Sequence, residues 1–223
     1  MGRSLLDDMT TPYSSAESFV YDRWIAPGTT ALAVDMFDEL AEVPDGAKIL
    51  DVGCGGGQIA IEIARRLPDV EICGLDLSPE QVGRARQRAA GLGERVSFVV
   101  GSALGLEFDD ESFDAVMSSA SIKHWPDMAA GLAECVRVLK PGGLLFVAEV
   151  DRGCRFDDAM KFLARTRVPN PMLPLAMMGF RTYVAGRSID AEDAQELTHG
   201  LEMSEVEVIR PDGLPIVLIR GNR

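Results

Sequence analysis

The sequence predicts an α/β fold in which a doubly wound, mostly parallel sheet carries helices on both faces. Short apolar strands alternate with amphipathic helices between residues 48 and 150, and a cluster of glycines separates the first strand of this series from its first helix. Two apolar runs near the C-terminus predict an antiparallel last strand. The 223 residues are expected to form a single domain, 1–223.

The expected elements follow one another along the chain. They are strand 48–52, helix 57–66, strand 70–75, helix 79–91, strand 96–100, strand 113–118, helix 127–139 and strand 143–150. Ser78-Pro79 is typical of a helix start, and Lys140-Pro141-Gly142-Gly143 of a helix stop that turns into a strand. The runs 206–209 and 216–219, separated by a Pro-Asp-Gly turn, predict an antiparallel hairpin.

Two segments depart from this alternation. Residues 1–45 combine a short aromatic segment with helical spacing at 29–40, which predicts a helix before the glycine turn. Residues 153–188 contain prolines among methionine, leucine and phenylalanine, and are expected to be an insertion. A helix capped by Ser188 or Asp190 is expected to follow the insertion.

Composition and charge argue against several functional classes. Hydrophobic residues make up 47% of the chain and charged residues 26%, as in ordinary globular proteins. The net charge of −13, with no cluster of Lys or Arg, argues against nucleic acid and anionic membrane surfaces as partners. Four cysteines without CxxC spacing and two histidines argue against a zinc site or a disulfide framework. Because no apolar run reaches the ~20 residues of a membrane span, a cytoplasmic location is expected.

The glycine turn is the first candidate for a binding site. Asp51 ends a short strand, and four of the five residues from Gly53 to Gly57 are glycine. Glycines permit positive φ and let a ligand approach the backbone, and the N–H groups at the start of the next helix can bind it. Asp76 ends the next strand, about 20 residues later, where a carboxylate can accept both hydroxyls of a ribose. The pattern indicates a nucleoside ligand, and nicotinamide and flavin sites share it.

Further motifs narrow this interpretation. In order, the chain contains Asp51-x-Gly53-x-Gly55-x-Gly57, Asp76, Gly101-Ser102-Ala103, Phe113-Asp114-Ala115-Val116 and Leu139-Lys140-Pro141-Gly142-Gly143. Together they resemble the motifs of the class I S-adenosylmethionine-dependent methyltransferases, from roughly Lys48 to the end of the chain. The resemblance implies a Rossmann-like fold with an antiparallel last strand, S-adenosylmethionine as cofactor, an N-terminal helical lid at 1–45, and an insertion at 153–188 over the acceptor site.

The resemblance also implies a set of residues that contact the cofactor. They are Tyr21, Arg23, Asp51, Gly53, Cys54, Gly55, Gly57, Asp76, Leu77, Ser102, Ala103 and Ser119. In the family pattern the glycine turn lies against the methionine part, Asp76 binds the ribose and Leu77 packs on the adenosine. Ser102 stands where an aspartate is common, and Ser119 would line the pocket. Either Tyr21 or Arg23 would reach the carboxylate of the cofactor.

A structural role is the alternative for two of these residues. Asp51 can accept hydrogen bonds from the N–H groups of the turn itself instead of contacting a ligand. Cys54 is expected to be a small filler in the turn, because no cation flanks it that would activate a thiolate.

His124 is the candidate catalytic residue. It lies in the segment Ser121–Pro126 just past the fourth strand, where members of the resembled family line the acceptor site. An unperturbed pKa near ~6.5 suits a general base if the acceptor has to lose a proton. The alternative is that His124 only shapes the cleft or braces the following helix, so that transfer depends on proximity. The methionine-rich stripe 172–180 is either core or an adaptable lid over an apolar acceptor.

The leading hypothesis from the sequence is methyl transfer from S-adenosylmethionine to oxygen, nitrogen or carbon of a small, largely apolar acceptor. One alternative is a regulatory module that binds the cofactor and transfers nothing. Another is a nicotinamide oxidoreductase, against which the fourth-strand motif and the final hairpin argue. The expected partner is a small-molecule acceptor, with no nucleic acid and no membrane, and the sequence indicates no oligomeric state.

Overall fold

The computed structural model describes residues 43–166 and 168–223, and their centre is one seven-stranded sheet of order β3-β2-β1-β4-β5-β7-β6. The strands are β1 (Lys48–Val52), β2 (Glu71–Asp76), β3 (Val96–Val100), β4 (Phe113–Ser119), β5 (Leu139–Val150), β6 (Glu205–Ile209) and β7 (Ile216–Asn222). The first five strands pair in parallel, whereas β7 pairs antiparallel with both β5 and β6. The predicted sheet with an antiparallel last strand is confirmed.

Helices cover both faces of the sheet. They are α1 (Gln58–Arg66), α2 (Pro79–Arg88), α3 (Met128–Val138), α4 (Phe156–Arg165), α5 (Leu173–Gly179) and α6 (Ala191–Thr198). One apolar layer joins the sheet to α1, α2, α4 and α5, and a second joins it to α3 and α6. Side chains alternate between these layers along each strand, so Ile49 enters the first layer while Leu50 and Val52 enter the second.

Local sequence signals explain two of the helix starts. Ser78 caps α2 by accepting a hydrogen bond from the N–H of Gln81, with proline at the first helical position. Asp190 caps α6 in a capping box with Asp193, which decides between the two predicted caps. Helix α2 ends three residues earlier than predicted, at Arg88.

The turn at Lys140–Gly143 differs from the prediction. Helix α3 ends at Val138, and Leu139 already pairs with Phe113 of β4. The register between β4 and β5 then shifts, so the four residues interrupt a strand instead of joining a helix to one. Gly142 takes the left-handed conformation, φ 77°, that this interruption requires.

The insertion 153–188 is mostly helical and packs on the sheet. Besides α4 and α5 it contains one π-helical turn, Phe180–Val184, and two short 3₁₀ turns. Some of its apolar side chains enter the first layer, namely Ala159, Phe162, Leu163, Met177, Phe180 and Ala185. Others are exposed, namely Phe156, Met172, Leu175 and Met178. The methionine-rich stripe is therefore partly core and partly surface.

Some expectations concern residues that the structure does not describe or features it does not contain. The helix at 29–40 and nearly all of the N-terminal lid lie outside the described residues. Among 43–166 and 168–223, no helix is long and apolar enough to cross a membrane. The same residues form no cluster of three or more histidine, cysteine or acidic side chains suited to a metal ion. All four cysteines are free thiols.

Candidate active site

The strand order reverses between β1 and β4, and this point locates the candidate site. Helix α1 follows β1 on one face of the sheet, and α3 follows β4 on the other. In open α/β sheets, ligands bind outside the carboxyl ends of the strands at such a switch point. The glycine turn after β1, Asp76 at the end of β2 and the loop after β4 all lie there.

The glycine turn is held in place by β2 and by Arg88. The N–H groups of Gly53 and Cys54 both donate to the carbonyl of Leu75 in β2, at 2.7 and 3.0 Å. The guanidinium of Arg88 donates to the carbonyl of Gly56 at 2.6 Å. Gly55 adopts φ 53°, and a Cβ at this position would meet no atom of residues 43–166 and 168–223 within 4 Å. The hydrogen bonds to Leu75 and Arg88 fix the backbone of the turn. The turn is open at Gly55, where a ligand can approach the backbone.

Asp76 links the turn to the next helix. Its Oδ2 accepts a hydrogen bond from the N–H of Gly55, and its Oδ1 accepts one from the N–H of Ser78, both at 2.8 Å. A carboxylate oxygen accepts two hydrogen bonds, so each still has capacity for a ligand hydroxyl. Burial raises the pKa of Asp76, while the bonds from Ser78 and Gly55 oppose that rise. The expected ribose-binding acid is therefore preoriented by its own turn.

Asp51 is the least satisfied polar group of the site. It is 2% exposed, and its Oδ2 has no hydrogen-bond partner among the described residues. Its pKa is raised to about 7, mainly by burial and also by the charge of Asp76. The expectation that Asp51 bonds the N–H groups of the turn is wrong for Gly55, since that N–H is bound by Asp76. Asp51 thus contributes an unsatisfied carboxyl oxygen close to Asp76.

An apolar surface borders Asp76 on the side of β3. Leu77 is 51% exposed, and Val100, which pairs in register with Asp76, is 49% exposed. Ser102 is exposed and its Oγ accepts a hydrogen bond from the N–H of Leu104 at 3.2 Å. Sequence reasoning missed Val100, although an apolar residue at the carboxyl end of a parallel strand is a usable signal.

The loop after β4 faces the glycine turn. Ser119 ends the strand half-buried, and Ala120 follows in a left-handed conformation, φ 54°. The Oγ of Ser121 accepts a hydrogen bond from the indole N–H of Trp125 at 3.1 Å. A Cβ placed on Gly53 would lie 1.8 Å from this Oγ, so Ser121 packs directly on the turn. Sequence reasoning did not single out Ser121, because the contact joins residues far apart in the chain.

His124 lies at the end of this loop with an altered basicity. Its backbone N–H donates to the carbonyl of Ser121 at 2.9 Å. Its pKa is lowered to about 4, mainly by burial and also by the charges of Lys123 and Arg187, whereas the charge of Glu149 opposes this shift. The imidazole is therefore neutral near pH 7 and can accept a hydrogen bond, but it is a weaker base than an unperturbed histidine.

The remaining predicted residues have clear places. Cys54 is buried, its thiol lies 3.6 Å from the carbonyl of Gly55, and burial raises its pKa, as expected for a small filler. Gly57 caps α1 with φ 76°, and Ala103 is half-buried beside Ser102. The predicted residues Tyr21 and Arg23 lie outside the described part of the chain.

Comparisons with known proteins agree with this geometry. A family model described as a methyltransferase domain matches residues 49–143. A demethylmenaquinone methyltransferase from Deinococcus radiodurans is 43% identical over 102 residues, which are 46% of this chain and 42% of that protein. The methyltransferase GfsG from Streptomyces halstedii is 34% identical over 189 residues, 81% of this chain and 63% of the relative. The structure of an S-adenosylmethionine-dependent methyltransferase from Aquifex aeolicus matches with a TM-score of 0.67 at 14% identity, covering 95% of this chain and 99% of the other.

The matched segments coincide with the candidate site. The family model runs from β1 into β5 and so includes the glycine turn, Asp76 and the loop after β4. The chain spans less than two thirds of the length of the two named relatives. The Aquifex structure agrees in fold over nearly the whole chain. By sequence, residues 49–143 match a methyltransferase domain, and the fold of the chain is similar to that of a solved S-adenosylmethionine-dependent methyltransferase.

Proposed function

We propose that this protein transfers a methyl group from S-adenosylmethionine to a small, largely apolar acceptor. The observation that carries the proposal is that buried Asp51 and half-buried Asp76 lie beside an open glycine turn at the switch point. The family match over 49–143 supports the same conclusion. A regulatory module that binds the cofactor without transfer is the alternative to be tested.

The glycine turn, Asp76 and the loop after β4 together border the candidate site, which is called the crevice below. The residues of this crevice suit the separate chemical groups of the cofactor. S-adenosylmethionine has two cationic centres, and a cation relieves the repulsion between Asp51 and Asp76. The spare acceptor capacity of Asp76 suits a ribose diol. The exposed side chains of Leu77 and Val100 suit the faces of an adenine ring, and the exposed Ser102 suits its polar edge. When bound, the cofactor supplies an electrophilic methyl group on its sulfonium.

The chain's own contribution to transfer is position and exclusion of water. Ser119 and the 3₁₀ turn that ends at His124 would line the side of the crevice opposite Asp76. Holding an acceptor atom in line with the methyl group can supply much of the rate enhancement. Neutral His124 would accept a hydrogen bond from a hydroxyl group of the molecule to be methylated and so orient that molecule. Because its pKa is about 4, His124 is a weak base. It would therefore contribute to methyl transfer more by orienting this molecule than by removing a proton from it.

The insertion 153–188 would cover the acceptor. Arg187, at its end, is close enough to His124 to lower the pKa of the imidazole. Its exposed apolar side chains, among them Met172, Leu175 and Met178, suit an apolar molecule that methionine can adapt to. The Deinococcus relative is named for demethylmenaquinone, a quinone, which supports an apolar acceptor.

The N-terminal segment and the cellular setting complete the proposal. Residues 1–45 would form the second lid, with Tyr21 or Arg23 at the carboxylate of the cofactor. The acidic net charge of −13 supports an acceptor other than nucleic acid. The four free thiols support a reducing, cytoplasmic location.

The test is a transfer assay with tritiated S-adenosylmethionine. The panel would contain a demethylated quinol, a phenol, a sterol and a polar amine such as sarcosine. We expect label in an apolar product, together with S-adenosylhomocysteine formation. His124→Ala should lower turnover and leave S-adenosylhomocysteine affinity nearly unchanged. Tight cofactor binding with no label in any product would favour the regulatory alternative.

A further inference from the structure

A deeply buried ion pair lies directly behind the loop after β4. The Nζ of Lys123 is 2.7 Å from Oε1 of Glu149, and their side chains are only 8% and 1% exposed. Removing two charges from water costs free energy that their attraction often fails to recover, so burial of a pair is weak evidence of a stabilising role. Neither residue belongs to the motifs that identify the cofactor site. The pair therefore needs another explanation.

The contacts of the pair converge on one strained residue. The Nζ of Lys123 also donates to the carbonyl of Ala120 at 2.9 Å, and the N–H of Ala120 donates to the carbonyl of Ala148 at 2.8 Å. Ala120 has φ 54°, a conformation that a residue with a Cβ adopts at a cost. Glu149 is fixed in turn, because its two oxygens accept from the N–H groups of Lys123 and Val150.

The conformation of Ala120 decides where the next residues lie. Ser121 packs on Gly53 of the glycine turn and holds the indole of Trp125. The N–H of His124 bonds to the carbonyl of Ser121 and follows its position. A rotation at Ala120 would move the whole segment Ala120–Trp125 away from the turn.

We infer that Lys123 and Glu149 are positioning residues, whose ion pair holds Ala120 in its left-handed conformation and so keeps Ser121 and His124 against the crevice. The effect of the ion pair on the conformation of the loop is inferred from contacts within the chain and does not depend on a ligand. The consequence for ligand binding rests on the proposed function.

The double variant Lys123→Met/Glu149→Gln separates positioning from simple stabilisation. It removes both charges and the bond to the Ala120 carbonyl, while the amide oxygen of the new glutamine can still accept from one of the two backbone N–H groups that Glu149 binds. Replacing a buried ion pair by neutral side chains often leaves the stability of a protein unchanged. If the pair only stabilised the fold, the loop Ala120–Trp125 would therefore keep its conformation in the double variant. Positioning predicts that the variant folds but that the loop relaxes.

Two measurements read the loop directly. Amide exchange at Ala120–Trp125 should become about tenfold faster in the double variant, while exchange in β1 and β4 is unchanged. The affinity for S-adenosylhomocysteine, from calorimetry, should fall about fivefold as Ser121 leaves the turn. Lys140→Met/Asp114→Asn, which neutralises an ion pair at the opposite end of the sheet, is the matched control and should alter neither reading.

Histidine titration by NMR gives a third reading in the His199→Gln background, where His124 is the only histidine. The charged groups that act on His124 are Lys123, Glu149 and Arg187, and the double variant removes one charge of each sign. A rise of the His124 pKa by more than about one unit therefore indicates that the imidazole has become exposed.

Unchanged exchange and unchanged affinity in a folded double variant would overturn the inference. If this variant does not fold, Lys123→Leu/Glu149→Met carries the same prediction, and failure of both to fold would show a structural role instead. Should wild-type protein not bind S-adenosylhomocysteine, the proposed function fails, but the exchange measurement still decides the inference.

Discussion

The two ends of the parallel strands differ in how their polar groups are satisfied. At the amino ends, Asp114 accepts bonds from the ammonium of Lys140 and the backbone N–H of Lys48, all at 2.8 Å. Close by, Arg137 bonds Glu134 and Asp110 together with two backbone carbonyls. At the carboxyl ends, Asp51 has a buried oxygen with no partner in the described part of the chain, and Ala120 is held in a strained conformation.

The difference indicates which end serves binding. A buried polar group without a partner costs about 1 to 3 kcal/mol, which a ligand can recover by satisfying it. The contacts described above for the amino ends include no unsatisfied buried group from which a ligand could recover free energy, because the charges there are paired and partly exposed. We therefore expect substitutions at the carboxyl ends to alter binding, and matched substitutions at the amino ends to leave it intact.

Two left-handed glycines give the largest contrast. Gly53 and Gly142 have nearly equal φ, 78° and 77°, but a Cβ on Gly53 would collide with Ser121 whereas one on Gly142 meets nothing within 4 Å. Gly53→Ala should lower the free energy of unfolding by about 2 to 5 kcal/mol, from backbone strain plus overpacking. Gly142→Ala should cost only the strain, about 1 to 2 kcal/mol. Urea denaturation of both variants would show equal losses if Ser121 did not pack on the turn.

Asp76 and Asp114 form the next comparison. Asp76→Asn removes a charged acceptor beside the turn and should weaken S-adenosylhomocysteine binding by about 1.5 to 3 kcal/mol. Asp114→Asn, at the amino end of β4, should leave that affinity unchanged. Calorimetry on the two variants decides the matter, and equal affinities would mean that the ribose assignment is mistaken.

Asp51 should make the stability of the ligand-free protein depend on pH. Its pKa is raised from 3.8 to about 7 in the folded state, so the folded protein binds more protons than the unfolded chain between these values. The contribution of Asp51 is therefore fully present below about pH 4 and is lost as the pH rises through 7.

Asp51→Asn removes this dependence. The variant should be more stable than wild type at pH 8 by about 1 to 3 kcal/mol, with the difference vanishing near pH 4. Thermal unfolding across this range is the measurement. A variant that is less stable than wild type at pH 8 would show that Asp51 bonds within the turn after all.

The smallest effect is expected for the ion pair of Lys140 and Asp114. Its side chains are 41% and 21% exposed, and such pairs contribute less than about 1 kcal/mol. Lys140→Met should therefore change the free energy of unfolding only slightly and leave cofactor affinity alone. A loss of several kcal/mol would indicate that the irregular pairing of β4 with β5 depends on this contact.

The sequence predicted those parts of the structure that depend on neighbouring residues. Strand and helix bounds followed from apolar periodicity, and the cap at Ser78 followed from its proline neighbour. The glycine turn and Asp76 could be predicted because each is recognised from a short sequence motif. In each case the deciding residues lie within a few positions of one another.

The rest depends on contacts that no local pattern encodes. Ser121 meets Gly53, and Lys123 meets Glu149, only after β1, β4 and β5 have aligned. The partnerless oxygen of Asp51 is likewise a product of packing, since the same residue could have bonded its own turn. The lowered pKa of His124 arises mainly from burial, with smaller contributions from the charges of Lys123 and Arg187, of which Arg187 comes from a distant part of the chain.

Hydrogen exchange of wild-type protein with and without S-adenosylhomocysteine tests the contrast between the two ends most directly. We predict that ligand slows amide exchange at Cys54–Gly57, at Asp76–Ser78 and in the loop Ala120–His124, where the crevice lies. Exchange at Glu107–Glu111 and Lys140–Gly143, at the amino ends, should not change. Protection confined to the amino ends, or no protection anywhere at saturating ligand, would contradict a cofactor site at the carboxyl ends of the sheet.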